Sequence, residues 1–510
     1  MAVQLSELSC QLWLVLVIVC FNSFKYFALS SVLNLFATNE YGISDMEAGN
    51  MYGLWGLLHS IFGFAGSLAV DRFGVRAVAL SATSLGVIAR GLIVFVHSET
   101  VLRFVLFSIG PLAEGVCDPL YMVAIKKMTR RRVRGFAFAL DYAFMNLGGA
   151  FSEMFIDLVR EKKWMMFWGQ EFSGLRFVLF GTWLSAIMGW LLAWWLHEPP
   201  VLRKGFSHWS PGLEGNAFSQ PAAAGYVALL HPSPESSPAS PKSPMSPVFK
   251  PSQPPGGFVI KTEEFSLDIP LPARDVEMEL PKSDALEFVK VYIYDPSFWR
   301  AMLQTAAVMF VSLQWKYMDT LLPKFSERYF GPSCPWGDIV SINMWMCVFC
   351  PPLVAMLAPG DRVDDFCLIL PGLWIMALSP LSIYASVSER GTAMWVVLLS
   401  CGEVLWSPRS QSFIASLARK GREGAFLALA NVPTFLSKYP VGLISGWLLN
   451  SFCPACPELQ NKSCWRDPNW RSDPGSMWLW VAVTSAASPL IVTLFLCYLR
   501  RRDTDYDDDD

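Results

Sequence analysis

The chain has 510 residues, of which 53% are hydrophobic and only 16% charged, with a formal net charge of -3. Such a composition is too apolar for a soluble protein of this length, and the bilayer is the natural solvent for it. The net charge selects no partner, because basic and acidic residues are segregated along the chain.

A helix that crosses a bilayer needs roughly 20 mostly apolar residues and satisfies its own backbone hydrogen bonds. By that ruler the first half carries spans near Gln11 to Phe36, Ala48 to Val70, Arg76 to Val96, Val101 to Ala124, Gly135 to Leu158 and Gly174 to Leu196. The second half carries six more, near Ser297 to Leu321, Gly337 to Ala358, Phe366 to Val387, Thr392 to Leu417, Gly424 to Leu449 and Ser476 to Leu499. The first apolar run is longer than the core of a secretory signal and passes through Asn22, Lys25 and Asn34 with no small-residue cleavage pattern, so it reads as a helix. The chain therefore divides into a six-helix half (1-197), a linker (198-295), a second six-helix half (296-499) and an acidic tail (500-510).

Lys126, Lys127, Arg130, Arg131, Arg132 and Arg134 follow the fourth span, and Arg419, Lys420 and Arg422 follow the tenth. The positive-inside rule places both loops in the cytosol, and with twelve spans both termini as well. Arg500, Arg501 and Arg502 after the last span agree. The basic loop after the fourth span has the composition of a nucleic-acid patch, but its position beside the membrane explains it as topology and contact with anionic lipid, and no nucleic acid is expected. The linker holds the Pro- and Ser-rich run 231-249, which cannot bury enough apolar surface to fold alone, and reads as disordered. Ser233, Ser237, Ser240, Ser243 and Ser246 each precede proline, a pattern open to phosphorylation.

On the exoplasmic side fall Cys334, Cys453, Cys456 and Cys464, where disulfides persist, and Asn461 in an Asn-Lys-Ser glycosylation sequon. No histidine accompanies these cysteines, so disulfides that staple the loops are preferred over a metal, and their pairing stays open. The chain carries no phosphate-binding Gly-x-x-x-x-Gly-Lys sequence, nucleophile motif or metal cluster, so neither an enzyme nor a cofactor is expected.

After the second span, Gly66, Asp71, Arg72, Gly74 and Arg76 form a loop signature. Gly66 permits close helix contact, Gly74 turns the chain, and Asp71 is placed to meet a helix N-terminus or a cation of the other half, as a cytosolic gate would. A worn echo, Gly360-Asp361-Arg362-Val363-Asp364, occupies the corresponding loop of the second half. Six spans, a linker, six spans and this loop resemble the major facilitator superfamily. The resemblance implies an all-α fold of two six-helix pseudo-repeat halves and secondary-active transport by alternating access. Ser341-Ile-Asn343, Gly402-Glu403 with Ser407-Pro408, and Pro433 with Ser445-Gly446 are remotely similar to the proton-coupled oligopeptide transporter branch. The paired-glutamate and arginine signature of that branch is absent from the first span, which reads Val19 to Tyr26 with Asn22, Ser23 and Lys25. Glu403 matches an acidic position that the branch uses at its substrate site. The fifth span keeps only Gly148-Gly149 of an antiporter signature, which leans towards symport or uniport.

Ionisable groups at membrane depth are costly and mark functional sites by default. Near mid-span lie Lys25, His59, Glu114, Asp118, Glu403 and Lys438. Glu114 and Asp118, four residues apart, share a helical face, so either one of them holds a proton or the pair meets Lys25 or His59 as a structural ion pair. His59 alone reads as a packing residue. Arg90, Asp141, Glu153, Lys316, Asp319 and Arg409 lie nearer span ends, where snorkelling to the interface accounts for them. The expected substrate or proton site therefore comprises Lys25, Tyr26, Glu114, Asp118, Asn343, Glu403 and Lys438, with Lys438 as the partner of Glu403. The expected ligands are a small charged solute, amino-acid-like or peptide-like at first guess, and protons. The alternative is a receptor or scaffold with the same fold that moves no solute. The sequence does not choose between the plasma membrane and an internal one.

Overall fold

The computed structural model describes residues 8-129, 131-162, 164-165, 171-197, 294-357, 363-417, 433, 436-455 and 473-500. All twelve expected spans are helical in their described residues. In chain order the first three are α1 (Cys10–Tyr41), α2 (Asp45–Phe73) and α3 (Val75–Phe95). The fourth is broken into α4 (Glu99–Phe107), α5 (Ile109–Gly115) and α6 (Cys117–Met128). The fifth and sixth are α7 (Arg131–Val159) and α8 (Gly174–Ala193), with a two-residue hairpin of β1 (Trp164–Met165) and β2 (Glu171–Phe172) between them. The second half holds α9 (Pro296–Thr320) continued by α10 (Leu322–Tyr329), α11 (Trp336–Leu357), α12 (Phe366–Leu378) with α13 (Leu381–Ala385), and α14 (Glu389–Ser416). It ends with α15 (Lys438–Phe452) and the run α16 (Pro474–Ser485), α17 (Ala487–Leu494) and α18 (Leu496–Leu499). Among the described residues seven segments are by themselves long and apolar enough to cross a membrane.

The helix ends follow capping chemistry. Ser9, Ser44 and Ser173 accept a hydrogen bond from the first-turn amides of Leu12, Glu47 and Arg176, and Asp295 and Asp473 do so just ahead of Pro296 and Pro474. Gly42 closes α1 in the left-handed region at φ 67°, and Gly74 takes φ 83° at the junction of α2 and α3. All but one of the breaks inside spans, the exception being Phe495 between α17 and α18, have one cause. Proline lacks an amide hydrogen and its ring crowds the carbonyl four residues back. Pro119, Pro323, Pro380 and Pro489 each fall just after an interruption, and Pro111 falls just after the break at Ser108.

Each half has its own apolar core. One is built on Val311, Leu373, Trp395 and Trp478, and another on Leu16, Val70, Leu120 and Ala124. A third, on Leu33, Phe36, Trp55 and Leu179 of the first half, extends across to Cys334 and Trp336 of the second. The halves approach most closely along the second and eleventh spans, where a Cβ on Gly49 or Gly442 would overlap the other helix's backbone. Without a hydrophobic force between helices in lipid, such small residues are what let two backbones touch. The fifth and eighth spans form the other seam, with Gly149 against Met344, Gly337 against Glu153, and the Phe151 and Trp345 rings 6.0 Å apart.

The two ends of the bundle differ. At the end where the 198-295 linker attaches, these contacts among the described residues lie within one half: Arg76 donates to the Trp194 carbonyl at 3.2 Å, Arg409 meets Asp365 at 3.3 Å, and Arg500 meets Asp364 at 2.9 Å. At the opposite, distal end they cross between halves.

Candidate functional site

The charge of the tenth span lies in a hydrogen-bonded cradle. Glu403 is 9% exposed, and its Oε2 accepts from Asn343 Nδ2 at 2.8 Å and from Trp315 Nε1 at 2.9 Å. Asn343 also donates to Ser400 Oγ at 3.0 Å. The Trp315 ring stacks on Trp406, centroids 5.7 Å apart. Gly402 lets α14 press against Gly372 of α12, which fixes the depth of the neighbouring Glu403. One helix turn thus presents a carboxylate held by two donors, with aromatic walls, between the eighth, seventh and tenth spans.

The first half contributes an aromatic face. Tyr26 stacks on Trp55 at 5.5 Å and lies 5.5 Å from the His59 ring. Lys316 of α9 places its Nζ 6.0 Å from the Tyr26 centroid and 3.8 Å from Asp319 Oδ2. Asp319 in turn accepts from Ser30 Oγ at 2.6 Å and Tyr52 Oη at 2.8 Å. Tyr26, Lys316 and Asp319 therefore meet across the junction of the halves, although the sequence positions of the latter two suggested snorkelling at span ends. Glu403 and Asn343 are held by residues of the second half, one of them Trp315, the neighbour of Lys316.

Other expectations are corrected. Glu114 pairs with Arg90 of the third span, both almost fully buried, so of its two expected roles the structure shows an ion pair within the first half, with Arg90 in place of Lys25 or His59. Lys25 is buried too, its Nζ directed at the helix face around Gly86. The helical face proposed for Glu114 and Asp118 is interrupted at Val116, between α5 and α6, and the Asp118 side chain lies outside the described residues. Lys438 is not the partner of Glu403; its stem packs beside Gly56 of α2. Snorkelling fails for Arg90, Asp141, Glu153 and Arg409 as well, all of which are buried. Cys334 and Cys453 are free thiols, so the structure does not support a disulfide at either. Cys456, Cys464, Asn461, the linker serines and the acidic tail lie outside the described residues.

The loop signature behaves in part as its chemistry required. Gly66 sits so close to Val116 that a Cβ would overlap it, and Gly74 makes the turn. Arg76 binds the Trp194 carbonyl of its own half, while the Asp71 and Arg72 side chains lie outside the described residues. In the echo, Asp364 caps α12 through the Phe366 amide at 2.9 Å.

The feature that sequence reasoning missed is a charged lock at the distal end. Asp45 receives Lys324 Nζ at 2.8 Å on Oδ1, and Arg328 on both oxygens at 2.8 Å each. Arg328 Nη1 also donates to the Cys453 carbonyl at 2.7 Å. Arg160 binds Asp157 at 2.8 Å, Glu327 at 2.9 Å and the Cys334 carbonyl. Burial raises the Asp45 carboxyl, but hydrogen bonds and charge from Arg328 and Lys324 outweigh it and hold it at about 2. Burial, helped by repulsion from Arg328, brings Lys324 down to about 8 against the pull of Asp45. Burial raises the Cys334 and Cys453 thiols to about 12. The i, i+4 spacing of Lys324 and Arg328 just past the seventh span, opposite Asp45 ahead of the second, was the available signal.

Residues 15–437 match the family model of the Major Facilitator Superfamily, and the chain belongs to that family. No curated protein sequence matches it significantly. Solved structures share its fold at low identity. An auto-inhibited POT family peptide transporter is 15% identical with a TM-score of 0.60, covering 97% of each chain. A bacterial homologue of the human drug peptide transporters is 14% identical with a TM-score of 0.63, covering 96% of this chain and 98% of that one. A POT family transporter in complex with 5-aminolevulinic acid is 14% identical with a TM-score of 0.59, covering 96% of each. The chain is thus a multi-pass membrane protein with the fold of a solute transporter.

Proposed function

We propose that the protein carries a small charged solute, amino-acid-like or peptide-like, across the membrane by alternating access and with proton coupling. The observation that carries this reading is Glu403, buried in mid-span yet held by Asn343 and by Trp315, whose chain neighbour Lys316 reaches Tyr26 of the other half. A buried anion is retained at such cost where it meets a ligand. Glu403 suits an ammonium group, and Lys316 a carboxylate, so the two ends of a zwitterion would be matched across one cavity. The bound 5-aminolevulinic acid of one similar structure has that chemistry.

The basic residues around the linker end place it in the cytosol, and the distal end is then exoplasmic. In this orientation the lock at Asp45 closes the outside. Uptake into proteoliposomes tests the reading with a panel of amino acids, di- and tripeptides, nitrate and organic anions, with and without a pH gradient. The expected result is gradient-driven uptake of a zwitterion, reduced about tenfold or more by Glu403→Gln, the value of one charge-assisted hydrogen bond. Unchanged uptake and pH dependence in that variant, at matched protein density, removes Glu403 from the site.

A further inference from the structure

Glu153 of the fifth span is fully buried, and nothing in the solute site uses it. Its Oε1 accepts from Ser31 Oγ of the first span at 2.6 Å, and its Oε2 has no hydrogen-bond partner among the described residues. The eighth span of the other half packs on the backbone at this position, since Gly337 lies against the Glu153 carbonyl with no room for a Cβ. The charges that act on it are Asp319 of the seventh span and Asp157 one turn further along its own helix, both negative.

Every cation facing this region from the packed elements is engaged elsewhere. Arg160, on the same helix, holds Asp157 and Glu327. Lys316 sits beside Asp319, Arg176 of the sixth span pairs with Glu40, and Lys25 of the first span turns to the third. Tyr52 of the second span bonds Asp319, and Asp338 of the eighth gives its amide to Asp157 at 2.7 Å. A buried carboxylate with one hydroxyl donor, two acidic neighbours and, among the described residues, no cation beside it is costly, whereas the neutral acid is accommodated.

We propose that Glu153 is a proton-binding site, loaded from the exoplasmic side, whose occupancy is tied to closure of the exoplasmic face. The seam of the fifth and eighth spans that buries it is one of the two that must part when the carrier opens outward. Parting hydrates the carboxylate and lets the proton leave; closure requires the proton back. The coupling is thermodynamic, so each favours the other by the same factor. The inference rests on the alternating-access reading and names one coupling site within it.

The test needs no solute. Spin labels are introduced on the full chain at Glu161 and Ser333, both exposed at the exoplasmic end of this seam, through a non-canonical amino acid that leaves the native cysteines alone. Pulsed EPR distances then give the ratio of closed to open protein from pH 5 to 8.5 in lipid nanodiscs. In the wild type the ratio falls by about tenfold per pH unit across the titration, the slope of one proton. Glu153→Gln, which keeps the shape of the neutral acid, is flat and closed throughout, and Glu153→Asp regains the slope. A wild type without pH dependence, a Glu153→Gln protein with the wild-type slope, or a flat Glu153→Asp protein each overturns the proposal. Because no solute is present, such a failure leaves the uptake test of Glu403 standing.

Discussion

Replacing Asp45 with asparagine removes the charged acceptor of the distal lock while keeping its shape. The structure sets the size of the effect. The Asp45 carboxyl sits at about 2 when the lock is closed, against its ordinary 3.8 when it is open to water. At about 1.4 kcal/mol for each pH unit, that difference stabilises the closed state by about 2 kcal/mol. Because the closed-state value is lowered, the contribution is complete above an ordinary carboxyl pKa and fades as the pH falls towards 2, so it is fully present at pH 7. The figure is a lower bound. Lys324, 1% exposed in its side chain, and Arg328, 12%, would be left beside each other without an anion. A shift of 2 kcal/mol is about thirtyfold in the open population. The native thiols of Cys334 and Cys453 report it, because both are buried behind the lock and held unreactive by that burial. Labelling with a membrane-impermeant maleimide, read residue by residue by mass spectrometry, is expected to accelerate about thirtyfold or more at Cys453 in the variant. A rate within twofold of the wild type, in protein that keeps its thermal stability, refutes the assignment of Asp45 as the keystone of the lock.

Three further outcomes follow from the same contacts. Gly442→Leu forces side-chain atoms into the backbone of Gly49 and Gly53, an overpacking that costs about 1–3 kcal/mol in the closed state alone, and should speed the same labelling about tenfold. Arg90→Met strands Glu114 and should lower the apparent melting temperature in detergent far more than the double change of Arg90→Met with Glu114→Leu, which removes both charges together. Lys324 lies at about 8 in the closed state, lowered from 10.5, so the open state binds more protons between those values and rising pH across that window favours closure; Lys324→Met should abolish this dependence in the EPR distances.

The spans were legible because a bilayer imposes one simple rule on the sequence, a run of about 20 apolar residues. Most of their breaks were legible in principle as well, since a proline falls just after each of them except the one at Phe495, but apolarity alone does not register a lost hydrogen bond. The site was harder to read. Glu403, Asn343 and Tyr26 declared themselves as polar groups near the middle of apolar runs. Distance from a span end was then a poor guide to exposure, because an end that faces the other half is as dry as the middle. Asp319 and Glu153 sit near the ends of their helices and are buried by residues more than a hundred positions away, Asp319 by Ser30 and Tyr52, Glu153 by Ser31 and Gly337. Glu114 failed for the opposite reason. It is central in its span but faces Arg90 in its own half, and sequence spacing carries no information about which neighbour a side chain turns to.

The charges that face the junction of the halves lie in two layers, and the layers share an element. Glu403, Trp315, Lys316 and Tyr26 form the candidate site, while Asp45, Lys324 and Arg328 form the lock at the distal end. The seventh span carries both, with Trp315 and Lys316 at the candidate site, Asp319 one turn on, and the break at Leu321 and Pro323 before the lock residues of α10. A solute that draws Lys316 away from Asp319 changes the charge felt by Ser30, Tyr52 and Glu153 at once, because Asp319 touches or acts on all three. The rigid turn between Lys316 and Asp319 lies just ahead of the proline break, so a displacement at the cavity is passed to α10 as a change in angle at a hinge rather than absorbed along a continuous helix. In the proposed mechanism solute, proton and gate meet on the seventh span, and a substitution at Asp319 is expected to disturb all three where substitutions at Glu403, Glu153 or Asp45 disturb chiefly one.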